Sequence, residues 1–356
     1  MRMSTPLLAI TMGDPSGVGP ETIVKAWQSP QVHSACRPIV IGSTEILRRA
    51  VELLGAEITV VRAEAATEIS GDPTTLPCLE IDSEAAVEAL PARCDPKGGQ
   101  AAYEAVVLAA HLAQTQQVDG IVTAPLNKAA LQAAGHMYPG HTELLAACCG
   151  VENTAMMLYL EKENLNTAGT GWGVVHTTLH MAMRDIFKHL STRRILHCVL
   201  LADAAIRNLK AIPAQGSPKI GVCALNPHAG EDGIFGNEER EIISPAVKEA
   251  IRKGLNVSGP YAADSLVASA ERGAFDVLVA MYHDQGHIPL KLLGMHRAVN
   301  ITLGLPIVRT SASHGTAFDQ AWQGTADADG MIAAIRLAAR LTCKPSMPTV
   351  SAREDG

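Results

Sequence analysis

The chain has 356 residues, 47% hydrophobic and 18% charged, with 29 Lys and Arg against 36 Asp and Glu for a net charge of −7. That composition excludes a disordered, collagenous or low-complexity chain, and the length predicts about two domains. With no block of basic residues to hold a phosphate backbone, nucleic acid is excluded as an expected partner. Aromatics make up only 3%, so an aliphatic core is expected. The eight cysteines, at 36, 78, 94, 148, 149, 198, 223 and 343, include no Cys-x-x-Cys pair. They therefore read as mostly buried small apolar residues of a reduced, cytoplasmic protein, not as a zinc ribbon or a disulfide framework. The apolar stretch Pro6–Met12 is too short for a signal-peptide core, and no run reaches the roughly 18 residues of a membrane span.

Short apolar runs alternate with longer helical stretches along the whole chain, the pattern of βαβ units around a mainly parallel sheet. Leu7–Met12 reads as a strand, Gly13–Glu21 (GDPSGVGPE) as a turn and Pro20–Ser29 as a helix with Pro in its first turn. Strands are expected at Pro38–Gly42 and Glu57–Arg62 around a helix Thr44–Leu54. A long helix Gln100–Thr115 then leads to a strand Gly120–Ala124. Strands follow at Ala155–Leu160 and Gly173–Thr178, with a single helical region from Arg184 to about Leu209. Ile220–Leu225, Asn237–Arg252, Asp264–Glu271, Asp276–Tyr282 and Met331–Leu341 continue the alternation. Glu161–Gly173 and Ile212–Pro218 read as loops, and the tail 346–356 as frayed.

The opening turn Gly13-x-x-x-Gly17-x-Gly19 lets backbone amides approach a ligand or serves as a tight connection. It is not a Walker loop, because Gly19 is followed by Pro20, and not a dinucleotide fingerprint, because Gly-x-Gly-x-x-Gly is absent. Its Asp14 either caps the helix or points into a cleft. His180 (in TLHMAMRD, 178–185), His228 (in NPHAGE, 226–231) and His283 (in MYHDQG, 281–286) each fall near a strand end. Ligands bind at strand carboxyl ends in α/β sheets, so three imidazoles arriving there complete a divalent-metal site, or else bond their own loops. Thr142 opens a helical run after Pro139–His141, where anions are favoured. Lys291, Asn300 and Arg309 each follow or end an apolar run, as edge residues or as a phosphate or carboxylate clamp. No Gly-x-Ser-x-Gly elbow is present, and Cys148–Cys149 reads as core. His314–Asp319 (HGTAFD) is either a nucleotide-holding loop or the first turn of the next helix, and Asp232, Glu238 and Glu239 read as a solvated helix start.

Six stretches in order, Ile10–Glu21 (ITMGDPSGVGPE), Thr123–Lys128 (TAPLNK), Pro139–Glu143 (PGHTE), Asn226–Glu231, Met281–Gly286 and His314–Ala317 (HGTA), resemble the 4-hydroxythreonine-4-phosphate dehydrogenase family. The resemblance runs from about Leu8 to about Leu341. It implies an α/β fold of two α/β/α domains around a central cleft, similar to the isocitrate and isopropylmalate dehydrogenases. The first domain would take 1–138 with 304–345, the second 139–303 with the dimer interface. It further implies a homodimer whose active site lies at that interface, with metal ligands His180, His228 and His283 drawn from both subunits. His141, Thr142, Lys291, Asn300 and Arg309 fall on the substrate contacts, Gly304, His314, Gly315 and Thr316 on the NAD contacts, and Asp264 and Lys291 on the candidate catalytic positions. The implied chemistry is oxidation of a secondary alcohol β to a carboxylate, with hydride passing to NAD, a divalent metal (Zn, Mg, Co or Mn) assisting, and the β-keto acid losing CO₂.

Two departures from the family stand out: Ser313 where Asp is usual before the HGTA stretch, and a longer loop over Glu161–Gly173. Gly286–Gly294 (GHIPLKLLG) and Ala317–Trp322 (AFDQAW) look closest to the branch that oxidises 4-phospho-D-threonate or 4-phospho-D-erythronate in sugar-acid catabolism, ahead of the pyridoxine-biosynthetic branch. A dihydrodiol carboxylate dehydrogenase of the terephthalate type, an acyl-phosphate transferase without NAD, and a non-catalytic binding protein of the same architecture are the alternatives.

Overall fold

The computed structural model describes residues 5–66, 69, 71–81, 83–161, 171–210, 212, 216–294 and 296–343. In chain order the elements are β1 (Leu7–Thr11), α1 (Gly19–Trp27), α2 (Pro30–Ala35), β2 (Arg37–Gly42), α3 (Thr44–Leu54), β3 (Thr59–Ala63), β4 (Thr75–Glu80), α4 (Ala85–Glu88), α5 (Pro96–Gln114), β5 (Gly120–Thr123), α6 (Lys128–Ala133) and α7 (His141–Cys149). They continue with β6 (Ala155–Glu161), β7 (Gly171–His176), α8 (Met183–His189), α9 (Thr192–Lys210), β8 (Ile220–Cys223), a 3-10 turn (Pro227–Gly233) and a π-helical turn (Glu239–Ile243) running into α10 (Ser244–Arg252). The rest are β9 (Val257–Tyr261), α11 (Ala263–Glu271), β10 (Val277–Ala280), α12 (His283–Gly294), β11 (Val299–Leu303), β12 (Val308–Ala312) and α13 (Asp329–Thr342). None of the described helices is long and apolar enough to cross a membrane.

The chain forms two compact units, one running to Thr154 and resuming at Leu305, the other Ala155–Gly304. In the first unit six parallel strands lie in the order β3-β4-β2-β1-β5-β12. Every residue of β1 is buried, as expected of a parallel strand covered on both faces, and this is why its sequence reads as an unbroken apolar run. Helices α5 and α13 both pack on β1 and β5 but not on each other, which puts them on opposite faces. The long α5 starts cleanly: Pro96 needs no amide partner in the first turn, and Asp95 Oδ1 accepts the Lys97 N–H at 2.9 Å.

The second unit has the strand order β11-β6-β7-β10-β8-β9. There β6 runs antiparallel to both β11 and β7, while β7, β10, β8 and β9 are parallel. Its core is aliphatic around one indole: Leu158, Leu160, Val174, Leu266, Leu278 and Leu290 pack with Trp172.

The α/β alternation holds, with local corrections. The sheet of the second unit is mixed, not uniformly parallel. The expected single helix over 184–209 breaks at Leu190, whose extended backbone ends α8. Ile288–Leu290, read as the end of an apolar strand, lies inside α12, while Asn300 and Arg309 are the second residues of β11 and β12. Strands β4, β9, β11 and β12 were not expected as such. Four cysteines are buried, but Cys148 and Cys149 are only half-buried, and Cys94 and Cys343 are exposed. The contact boundary between the units lies at 154/155, against an expected 138/139, because α7 packs on α5. Most of the 161–173 loop, part of 212–218 and the tail 346–356 lie outside the described residues. Ile10, 1% exposed in the middle of β1, sets the scale of this core: Ile10→Ala should cost about 2–5 kcal/mol in urea unfolding, with the slope unchanged.

Candidate active site

Strands β7, β10 and β8 are neighbours, and the segments leaving their carboxyl ends carry His180, His283 at the start of α12, and His228 in the 3-10 turn. The His180 and His283 rings lie 5.7 Å apart. Two further histidines that sequence reasoning passed over join them. His287, one turn along α12, stacks on His283 at 3.7 Å and 11°, and His176, the last residue of β7, lies 4.6 Å from His287. A histidine repeating at i and i+4 after a strand end was the available signal.

Burial, aided by neighbouring imidazoles, pushes His176 down to about 3 and His287 to about 4, so both rings are neutral. The hydrogen bonds then assign their tautomers. Met156 O can only accept, so His176 Nδ1 donates to it at 3.3 Å, and His176 Nε2 accepts from His287 Nδ1 at 3.0 Å, leaving a lone pair on His287 Nε2. His283 Nδ1 lies 2.7 Å from Asp284 Oδ1, a contact in which the ring nitrogen donates and the carboxylate accepts. A carboxylate behind the ring is the pattern that orients metal-binding imidazoles, and His180 and His283 fit a divalent cation as two of its ligands.

His228 does not join them. Residues 228–232 all take left-handed backbone conformations, with φ from 42° to 79°. Such a run is costly for non-glycine residues. Glu239 anchors it from below: 6% exposed, its carboxylate accepts the Leu225 and Asn226 N–H groups at 2.8 Å each and Asn226 Nδ2 at 3.0 Å. It is a buried brace, where the sequence suggested a solvated helix start. Among the described residues of one chain, no three His, Cys, Asp or Glu side chains are placed together to hold a metal ion. Around the three segments, Met183, Phe187, Ile234, Phe235, Ile288 and Leu292 are exposed, the last to 82%.

In the first unit, Arg309 acts electrostatically on the start of α7. Arg309 is 1% exposed, and its Nε and Nη2 donate to Thr123 Oγ1 at 3.2 and 2.6 Å. Burial pulls its guanidinium down to about 10, with Glu143 opposing. His141, the first residue of α7, is held well below the usual imidazole range by burial and by Arg309. Its Nε2 is buried with no hydrogen-bond partner among the described residues. Thr142 follows in the same uncapped first turn, and Lys128, quoted in a motif but given no role, adds positive potential at His141. Of the other expected residues, Lys291 bears electrostatically on His287, and Asn300 Oδ1 is buried with no hydrogen-bond partner among the described residues. Asp264 is exposed in the first turn of α11, where its Oδ1 accepts the Ser265 N–H.

The expected cofactor residues form a loop, not the first turn of a helix: α13 begins only at Asp329. Thr316 O accepts the Val18 N–H at 3.0 Å, and Gly17 lies so close to Thr316 that a Cβ there would sit 2.8 Å from its carbonyl oxygen. A Cβ at Gly315 would meet nothing within 4 Å, and Gly304 has a φ of +87°. The glycine turn and the HGTA loop thus make one assembly, open at Gly315. Asp14 in that turn does not cap α1. It is fully buried, and its Oδ1 accepts the Ser16 N–H at 2.9 Å.

A profile of the family described as pyridoxal phosphate biosynthetic protein PdxA matches residues 34–338. The chain belongs to this family. It is 42% identical over 341 residues to D-threonate 4-phosphate dehydrogenase from Salmonella typhimurium, covering 95% of this chain and 100% of that protein. To 4-hydroxythreonine-4-phosphate dehydrogenase from Trichlorobacter lovleyi it is 41% identical over 344 residues, covering 96% and 99%. The solved 4-hydroxythreonine-4-phosphate dehydrogenase from Klebsiella pneumoniae, at 39% identity, superposes with a TM-score of 0.82 over 95% of this chain and 99% of that one. A terephthalate 1,2-cis-dihydrodiol dehydrogenase from Burkholderia xenovorans LB400 superposes less well, at 0.62 and 28% identity over 94% and 98%. The PdxA-family reading drawn from the six motifs is borne out.

Burial raises Asp14 from its ordinary value to about 6, with Asp95 adding to the shift. A carboxylate with a raised folded-state value costs stability above that pH and regains it as the pH falls toward 4. Asp14→Asn should therefore stabilise the fold by about 1–3 kcal/mol at pH 8 and by about half as much at pH 5, read from urea unfolding at both.

Proposed function

We propose that the protein is a NAD-dependent, divalent-metal-dependent dehydrogenase. It oxidises the C3 hydroxyl of a 4-phosphorylated hydroxy acid, 4-phospho-D-threonate, 4-phospho-D-erythronate or 4-hydroxy-L-threonine 4-phosphate, with loss of CO₂ from the β-keto acid. The observation that carries this reading is the buried Arg309, which acts on His141 at the start of α7, whose Nε2 has no hydrogen-bond partner among the described residues. A phosphate, with its several charged oxygens, answers that buried cation better than the single carboxylate of a dihydrodiol ring. Family membership and the names of its relatives support the same class of substrate.

In this proposal His141, Thr142 and Arg309 receive the phosphate, while Lys291 and Asn300 contact the hydroxy acid. His180 and His283, with His228 supplied by a second copy of the chain, would hold the cation, and Gly304, His314, Gly315 and Thr316 would line the dinucleotide. When bound, the cation supplies a Lewis acid and the nicotinamide a hydride acceptor. Lys291, one turn beyond His287 on α12, takes the hydroxyl proton, with Asp264 as the second candidate. The homodimer rests on the incomplete ligand set of one chain and on the exposed apolar side chains beside it.

The decisive assay follows NADH appearance at 340 nm with divalent metal, offering the three phosphorylated acids and a dihydrodiol carboxylate, each with and without chelator. A chelator-sensitive signal with a phosphorylated acid is expected. Turnover of the dihydrodiol alone would move the protein to that branch, and silence with all four from a folded dimer would refute the dehydrogenase reading. His228→Ala should abolish turnover while leaving thermal unfolding nearly unchanged. Leu292→Glu should convert the dimer to monomer in analytical ultracentrifugation and remove activity with it, because its side chain is 82% exposed in the single chain.

A further inference from the structure

A cavity in the first unit, of about 350 Å³, opens beside the glycine turn. Its walls are largely apolar, with Pro15 from the turn, Ile46 and Leu53 from α3, Ala89, Pro91 and the indole of Trp322, and the exposed Arg49 and Glu52 of α3 complete the lining. The volume is within the range of small-ligand pockets.

Trp322 is held there at some cost. Its φ is +62°, the left-handed region that bulky side chains avoid. Glu21, 0% exposed, over-determines that conformation: its carboxylate accepts the backbone N–H of Trp322 at 2.9 Å and also that of Gly324. Lys25, one turn along α1, donates to the carbonyls of Gly324 and Ala326 at 2.8 and 2.6 Å. The indole Nε1 donates to Pro15 O at 2.9 Å, which fixes the ring against the turn. A buried carboxylate, a lysine and a strained backbone together fix one half-buried aromatic face.

We propose that this cavity receives the adenine ring of the dinucleotide, stacked on Trp322, with Glu21 as the positioning residue that holds the indole in place. The inference rests on the NAD reading above. Two features select the occupant. The walls are largely apolar and one is a rigid aromatic face, which suits a flat heteroaromatic base whose edge can meet Arg49 or Glu52. The cavity also takes one wall from the glycine turn, whose Val18 N–H donates to Thr316 O, and another from Trp322, in the loop that follows His314–Thr316.

Trp27 and Trp172 are 3% and 1% exposed, which leaves Trp322 as the indole whose fluorescence a ligand can quench. In full-length protein NAD and AMP should quench that signal and compete with each other, whereas nicotinamide mononucleotide should not quench. Trp322→Ala should weaken NAD binding at least ten-fold by equilibrium dialysis and raise the KM for NAD in parallel, with kcat at saturating NAD within about two-fold. Trp322→Phe should restore most of the affinity. Leu53→Arg, which fills the opposite wall from a 42% exposed position, should weaken binding without altering the indole. Glu21→Gln should weaken NAD and AMP binding together. NAD binding unchanged in both Trp322→Ala and Leu53→Arg would overturn the adenine pocket while leaving the dehydrogenase intact. Failure of NAD to bind the wild-type protein would overturn both.

Discussion

Because β7, β10 and β8 pair in parallel, all three release the chain at one edge of the sheet, and the segments that follow deliver His180, His283 and His228 to that edge. An antiparallel neighbour in their place would send one of those segments to the opposite end. Adjacent parallel strands need long crossovers, and helices α9 and α11 with their connections supply them. Exposed apolar side chains, Phe187, Ile234, Phe235 and Leu292 among them, follow the same strands in the chain.

Desolvation does the next share of the work. Around the histidines it removes charge: His176 and His287 are buried and neutral, and their mutual hydrogen bonds pin the rings and leave a lone pair on one. In the first unit it has the opposite consequence. Arg309 keeps its proton because even a value of about 10 lies above neutral pH, so burial there leaves a cation out of water. Neutral imidazoles suit a metal, and a buried guanidinium suits a phosphate.

Buried carboxylates organise the loops. Glu239 gathers the amides around Asn226 and so supports the left-handed run that carries His228, and Glu21 does the same for the left-handed Trp322. In each case a short acidic side chain from a helical segment takes up backbone N–H groups that an irregular loop cannot satisfy itself, which is how strained conformations persist.

Much of this was legible in the sequence. Apolar runs at the period of buried strands located β1, β2, β5 and β6, because a strand covered on both faces must be apolar throughout, and the ordered motifs identified the family. The three strand-end histidines could be picked out because glycine and small polar residues mark the loops around them. The sequence could not tell that Ile288–Leu290 sits in a helix, since a short apolar run with a proline suits either state until its packing against β6 and β7 is known. Nor could it find His176, His287, Glu21 or Glu239 as working residues, because burial, tautomer and hydrogen-bond partner are properties of what the tertiary structure brings alongside. Residue type and spacing determined which groups were present and which strands carried them. The packing of the folded chain decided which are charged, which touch, and that His228 stands apart from His180 and His283.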